Sequence, residues 1–396
     1  MPRILRILNR FNLGGPTYNA AYLTKYMEPE FETLLVGGSN DQSEKNSEFI
    51  VSNLGIKPVI ISQMRREISP AKDYQAFKAI KKIINEFKPD IVHTHASKAG
   101  ALGRQAAASC KVPVIIHTFH GHVFDSYFNH WKSSFYKRLE RMLASKSSGI
   151  IAISEKQKDD LVNKYRICEN DKVKVIPLGF DLGKFREDTL MKRLEFRKKY
   201  LLEEDEIAIG IIGRLVPIKN HSLFLNAFNN IRNKSNKKIR AFIVGDGECM
   251  QKLQGEATNL GIDFVNGVEP YKKASLTFTS WLTDMDVVNA GMDIIALTSL
   301  NEGTPVSLIE AQASGKPVVS TKVGGIENVV DPGKTALLSG SNNTEEFAEK
   351  LCELVENESL RKEFSANGWN FVGEKFHYTR LVKEMSSFYY EKLKNI

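Results

Sequence analysis

The chain has 396 residues, a hydrophobic content of 42%, a charged content of 26% and a formal net charge of +8. These values describe a globular protein long enough for two domains with cores of their own, and they exclude a disordered chain. No apolar run approaches the ~20 residues a spanning helix needs, and the first residues lack the apolar centre of a secretory signal.

Four scattered cysteines (Cys110, Cys168, Cys249 and Cys352) show no metal or redox spacing, which predicts a reducing, cytoplasmic home. The charge is unevenly shared. Residues 1–180 hold 27 Lys and Arg against 17 Asp and Glu, and the remainder holds 28 against 30. A basic half suits an anionic membrane surface, a phosphorylated acceptor or simply a solvated face. No nucleic-acid motif accompanies it, so no nucleic acid is expected as a partner.

In chain order, short β-branched runs at residues 4–8, 33–36, 59–61, 91–94, 114–118 and 150–153 read as strands. Amphipathic helical patterns lie between several of them, notably at 74–87 and 98–108. The alternation pauses in a Gly- and Pro-marked connection over 175–185. It restarts at 207–213, with further strands expected at 241–244, 263–265, 293–297 and 318–321. Alternating strands and helices of this kind predict an α/β class with two Rossmann-like, doubly wound parallel sheets, their strand ends turned to a shared cleft. The boundaries fall at 1–180, 181–377 and 378–396, the last being a helix rich in aromatics and lysines that packs back on the first domain.

The stretch from Asn301 to Pro317 carries the most chemistry. Glu302 and Glu310 straddle a helix start, with Thr304 suited to the N-cap, Pro305 to the first helical position and Gly315 to the residue after the last turn. Glu310 falls on the wheel among Val306, Ile309 and Ala313, where a carboxylate needs hydrogen-bond donors such as ligand hydroxyls. The free N–H groups of Val306 and Ser307 favour an anion. A helix end for phosphate beside carboxylates for hydroxyls describes a nucleotide-sugar site. Gly245-Asp246-Gly247 lacks the third glycine of a dinucleotide fingerprint, so a dehydrogenase is a weak reading. Asp284-Met285-Asp286 sits at a helix start, and capping explains it better than a metal pair.

Six motifs follow one another in order: Gly14-Gly15, His120-Gly121, Gly213-Arg214-Leu215 with Lys219, Gly245-Asp246-Gly247-Glu248, the Glu302 and Glu310 pair, and Val323-Gly324-Gly325-Ile326-Glu327. Together they resemble the retaining, nucleotide-sugar-dependent glycosyltransferases of family 4, of GT-B architecture, over nearly the whole chain. The resemblance implies a cytoplasmic enzyme, peripheral at the inner face of the cell membrane, that moves a hexose-type sugar from a UDP-linked donor to a glycan or polyprenyl-diphosphate acceptor in surface-polysaccharide synthesis. It implies that Arg214 and Lys219 stabilise the departing diphosphate, that Glu302 and His120 face the donor sugar, and that Glu310 holds the ribose. Gly14, Gly15, Gly303, Thr304, Pro305, Val306 and Ser307 would complete the donor site, and no catalytic metal is expected. Pro305 stands where many relatives carry an amide donor, which leaves the backbone contacts to Val306 and Ser307. Leu178 stands where they often have asparagine.

Six of the eight histidines lie in the first half: His93, His95, His117, His120, His122 and His130. Three readings compete, namely a metal site, satisfied buried histidines, and one functional histidine, His120, among structural ones; the third is preferred. His95 and His122 are cleft-liners on the acceptor side, where Ser97 and Lys98 open a helix that would greet a phosphate. The aromatic and cationic segment 127–143 reads equally as an interfacial membrane helix or as an ordinary amphipathic one. Two rivals share this architecture: a nucleotide-sugar 2-epimerase and a non-catalytic sugar-nucleotide-binding protein.

Overall fold

The computed structural model describes residues 1–11, 15–38, 48–65, 67–120, 130–267 and 272–394. The chain divides into two compact units, Met1–Phe180 with Phe376–Ile396, and Asp181–Lys375.

The first unit alternates β1 (Arg3–Arg10), α1 (Gly15–Tyr26), β2 (Glu32–Gly38), α2 (Glu48–Asn53), β3 (Val59–Ile61), α3 (Pro70–Phe87), β4 (Ile91–His95), α4 (Ser97–Ser109), β5 (Val114–Phe119), α5 (His130–Ser145), β6 (Gly149–Ala152), α6 (Glu155–Asp159) and β7 (Val173–Val175). All seven strands are parallel, in the order β3-β2-β1-β4-β5-β6-β7. The strands read as near-continuous apolar runs because helices cover both faces. On one face Leu5, Ile7 and Val92 meet Ala76, Ile80 and Ile84 of α3 and Ala99 and Ala106 of α4. On the other, Ile4, Ile91 and Ile116 meet Leu23 of α1, Met27 just after it, and Leu381, Met385 and Tyr389 of the C-terminal helix (Tyr378–Leu393). That helix is tied in where Phe180 N–H donates to Phe376 O (2.8 Å) and Tyr378 N–H donates to Phe180 O (3.0 Å).

The second unit continues with α7 (Thr189–Lys199), β8 (Ile207–Ile212), α8 (His221–Lys234), β9 (Ile239–Val244), α9 (Met250–Asn259), β10 (Phe264–Asn266), β11 (Leu276–Ser280), α10 (Met285–Gly291), β12 (Ile294–Leu297), α11 (Val306–Ala313), β13 (Val318–Thr321), α12 (Ile326–Val329), β14 (Ala336–Ser339), α13 (Thr344–Glu356) and α14 (Glu358–Phe376). Its seven strands are again parallel, ordered β10-β11-β9-β8-β12-β13-β14. The core joins Ile209, Ile211 and Ile243 to Phe224 and Phe228 of α8 and Phe347 and Leu351 of α13.

The alternating pattern is thus realised as two doubly wound sheets. Three strands carry too little signal to be read ahead: β7, Val-Lys-Val, is broken by a lysine, β14, Ala-Leu-Leu-Ser, has no β-branched residue, and β11 mixes threonines into its apolar run, Leu-Thr-Phe-Thr-Ser. In each sheet the strand order reverses beside the first strand, between β1 and β4 and between β8 and β12. A crevice outside the carboxyl ends of such strands is where open α/β sheets bind ligands. Among the described residues no helix is long and apolar enough to cross a membrane.

Candidate functional site

In the second unit, the loops leaving β8 and β12 meet at the reversal point. Leu300 N–H donates to Ile218 O (2.8 Å) and Thr298 Oγ1 to Lys219 O (3.0 Å), so the backbones are laced across it. The lacing delivers Lys219 to Glu302: Nζ donates to Oε1 at 2.5 Å, and Ser299 Oγ donates to the same oxygen at 2.5 Å. Both side chains are mostly covered, at 21% and 11% exposure. Oε2 of Glu302 has no partner among the described residues. Behind Glu302, Gly325 N–H donates to its carbonyl (2.8 Å) and Thr321 Oγ1 donates to Ser299 O (2.7 Å), fixing the loop against β13.

Arg214 follows β8, is exposed, and has no side-chain hydrogen bond or ion pair with a described residue. Its turn is closed against the loop after β9, where Leu215 N–H donates to Asp246 O (2.9 Å). A Cβ on Gly245 would sit 1.9 Å from Gly213 O, so that close approach requires glycine.

Helix α11 begins one residue later than expected. Pro305, with ψ 101°, holds the N-cap position and no side chain caps the helix, so Thr304 is not the cap and Pro305 is not the first helical residue. A proline ring has no side-chain acceptor to offer, which leaves Val306 and Ser307 N–H without a capping acceptor. Both residues are half-buried, and Gly303 is exposed beside them. Gly315 takes φ +64° just past the helix.

Glu310 lies on the second turn of α11, half-buried, its carboxylate without a hydrogen-bond or ion-pair partner among the described residues. Burial pushes its pKa up to about 7, with Lys184 pulling it down and Asp286 adding to the rise. Asp286 itself is held by Lys192 Nζ at 2.9 Å, and Asp284 occupies the N-cap of α10 without a side-chain bond.

In the first unit the histidines sort by face. His93 Nδ1 lies 2.5 Å from Tyr389 Oη and its Nε2 2.7 Å from Thr118 Oγ1. Arg6 donates to the same Tyr389 oxygen (3.1 Å); an arginine only donates, so Tyr389 O–H serves His93 Nδ1 and the Nε2 proton goes to Thr118. His117 turns to the other face, against Thr94 Oγ1 at 2.8 Å. His93 and His117 are therefore satisfied buried residues. His95 Nδ1 instead faces His120 Nε2 at 2.9 Å, while His95 Nε2 and His120 Nδ1 are buried without a partner among the described residues. Desolvation holds His120 at about 3, and His95 well below the ordinary histidine range, so both rings are neutral at physiological pH. Among the described residues no three His, Cys, Asp or Glu side chains converge as metal ligands.

Lys98, expected at the acceptor, has its ammonium committed elsewhere: it is ion-paired with Asp73 at 2.5 Å and donates to the Glu67 carbonyl, with 14% of the side chain exposed. Gly15 opens α1. Gly14 and His122, and the Gly121 that follows His120, lie outside the described residues. Sequence reasoning missed Ser299; its signal was a polar pair, Thr298-Ser299, closing an apolar parallel strand. It also missed the direct contact of His95 with His120, which joins the last residue of β4 to the residue after β5.

These loops match known proteins. Residues 14–184 match the family model described as Glycosyltransferase Family 4, and residues 192–371 match Glycosyl transferases group 1. The chain is a glycosyltransferase built of a family 4 domain followed by a group 1 domain. It is 28% identical over 343 residues to the Escherichia coli UDP-Gal:alpha-D-GlcNAc-diphosphoundecaprenol alpha-1,3-galactosyltransferase, covering 86% of this chain and 85% of that protein. It is 26% identical to the capsular polysaccharide biosynthesis glycosyltransferase CapM of Staphylococcus aureus, covering 84% of each. Among solved structures, Anabaena HepE in complex with UDP superposes with a TM-score of 0.80 at 19% identity, over 98% of this chain and 100% of that one, which establishes the GT-B fold.

Proposed function

We propose that this glycosyltransferase moves a hexose-type sugar from a UDP-linked donor to a polyprenyl-diphosphate-linked or glycan acceptor in cell-surface polysaccharide synthesis, with retention of anomeric configuration. The observation that carries this reading is the Lys219–Glu302 pair at the strand-order reversal, beside the uncapped start of α11 and the unpartnered carboxylate of Glu310. Support for the substrate classes comes from the relatives. The Escherichia coli enzyme takes UDP-Gal and a diphosphoundecaprenol-linked acceptor, and HepE has been crystallised with UDP-glucose.

In this reading Arg214, Lys219 and the Val306 and Ser307 amides neutralise the charge that grows on the departing diphosphate, the chief electrostatic task of the step. Glu302 holds Lys219 through Oε1 and keeps Oε2 for the donor sugar. Glu310 accepts from the ribose hydroxyls. His120 meets a sugar hydroxyl through Nδ1, the ring nitrogen His95 does not occupy. With two cations and a helix end available for the diphosphate, we expect turnover to need no metal and to survive a chelator.

The test is transfer from a panel of UDP-sugars to a short-chain polyprenyl-diphosphate-linked sugar, with the product's anomeric configuration read by NMR. The expected product keeps the donor's configuration. Lys219→Ala should cut kcat by roughly 10²–10³, the scale for one preorganised charge stabiliser, in a protein that still folds. Inversion, isomerisation of the donor alone, or an unchanged rate for Lys219→Ala would overturn the assignment.

A further inference from the structure

Helix α5 buries one face and leaves the other bare. Ser133, Glu140, Leu143 and Ala144 point inward, and the one acid of the helix, Glu140, is withdrawn from the surface by Arg104 at 2.7 Å. The outward stripe carries Phe135 at 64% exposure and Met142 at 46%, with Leu139 half-buried between them. Exposed Arg138 and Arg141 stand in and beside this stripe, and exposed Lys146 follows its end. Arg141 is steadied by donating to the Tyr165 and Arg166 carbonyls (2.7 and 2.8 Å). An apolar ridge at i, i+4 and i+7, flanked by cations and free of acids, matches an interfacial surface for an anionic bilayer: the side chains enter the headgroup layer while the cations meet its charge.

The second unit offers a contrast. Leu190, Met191 and Leu194 of α7 are just as bare, at 68%, 67% and 53%, but exposed Glu187, Asp188 and Glu195 stand around them. Exposed Arg186, Lys198 and Lys199 stand there too, so three acids offset three cations and the patch offers an anionic surface no net attraction. The topology adds an argument. A helix joining parallel strands runs back against them, so the Phe135 end of α5 lies toward the carboxyl ends of β4 and β5, where His95 and His120 sit.

We propose that the outer face of α5 (Phe135, Leu139 and Met142, ringed by Arg138, Arg141 and Lys146) docks the protein on an anionic lipid bilayer. This extends the reading of a lipid-linked acceptor, but its measurement needs no turnover, so a misassigned acceptor leaves the result interpretable. The test is co-sedimentation of the full chain with vesicles of phosphatidylcholine alone and of equal parts phosphatidylcholine and phosphatidylglycerol. Binding is expected only to the anionic vesicles. Phe135→Ser with Met142→Ser should weaken it at least about tenfold, Arg138→Ser about fivefold, and Leu190→Ser with Leu194→Ser not at all, with Tm unchanged throughout. Failure to bind anionic vesicles overturns the proposal. So does salt-sensitive binding that ignores Phe135 and Met142, which would mark an acidic macromolecule as the partner, or equal loss in the α7 variant.

Discussion

At the scale of single residues, Glu310 is the side chain whose protonation the ligand should change. In the free protein burial holds its pKa at about 7, well above the unfolded value of 4.5. The sign follows from linkage: keeping this carboxyl protonated favours the fold below pH 4.5, and that contribution is lost as pH rises through about 7. Ribose hydroxyls donating to the carboxylate favour the charged form and lower the pKa in the complex. UDP binding should therefore release a proton between the two values and tighten as pH rises from 6 toward 7.5. Calorimetric titrations at pH 6.5 in buffers of different ionisation enthalpy read that proton directly. Glu310→Gln should reduce the buffer dependence to the share left by UDP's own terminal phosphate, which also titrates at about pH 6, and weaken binding; a buffer dependence unchanged in Glu310→Gln would move the ribose contact elsewhere.

At the scale of elements, the loops of the second unit are held by glycines as much as by side chains. Gly324 takes φ +53°, and a Cβ there would lie 2.0 Å from Glu302 O, so the loop after β13 can approach the loop after β12 only with glycine. Gly255 in the interior of α9 has nothing within 4 Å of a built Cβ and no positive φ. Gly324→Ala should lower Tm and weaken UDP binding at least about tenfold by pushing Glu302 off Lys219, whereas Gly255→Ala should stabilise by about 0.5–1 kcal/mol. Thermal melts with and without UDP check both, and a silent Gly324→Ala would show that the two loops are not coupled. The same loops show what the sequence reveals. Runs such as Ile207-Ala-Ile-Gly-Ile-Ile announce a buried parallel strand, and the order of Gly213, Arg214, Lys219, Glu302 and Glu310 announces the family. What stays hidden is contact across strands. That Lys219 lands on Glu302 depends on which strands become neighbours, and that Asp73 claims Lys98 depends on how α3 packs on α4; residue spacing encodes neither. The start of α11 was misplaced for a local reason: Pro305 fits either the N-cap or the next position, and only its ψ of 101° decides.

At the scale of the whole molecule, the two units carry unequal loads of buried, neutral histidine. His93, His95 and His117 are pushed well below 6.5 by desolvation, and His120 to about 3, all in the first unit; in the second only His221, at about 4, is shifted this way. The unfolded chain takes up these protons near pH 6.5 and the folded units do not. Stability therefore holds above that pH and falls below it, by about 1.4 kcal/mol per pH unit for each such group. The first unit also buries Arg6 fully, and among the described residues it bonds only Thr24, Met27 and Tyr389, so no described acid offsets the charge arriving as the histidines protonate. Calorimetry at pH 7.5 and pH 5.5 should show the transition of the first unit moving down steeply and that of the second much less. Saturating UDP should raise the second transition alone, because a ligand stabilises only the body that binds it. His93→Gln should flatten the acid dependence of the first transition by the slope of one group. Transitions that fall together with acid, or a first unit whose melting ignores pH between 7.5 and 5.5, would mean that the histidines take up protons in the folded state after all.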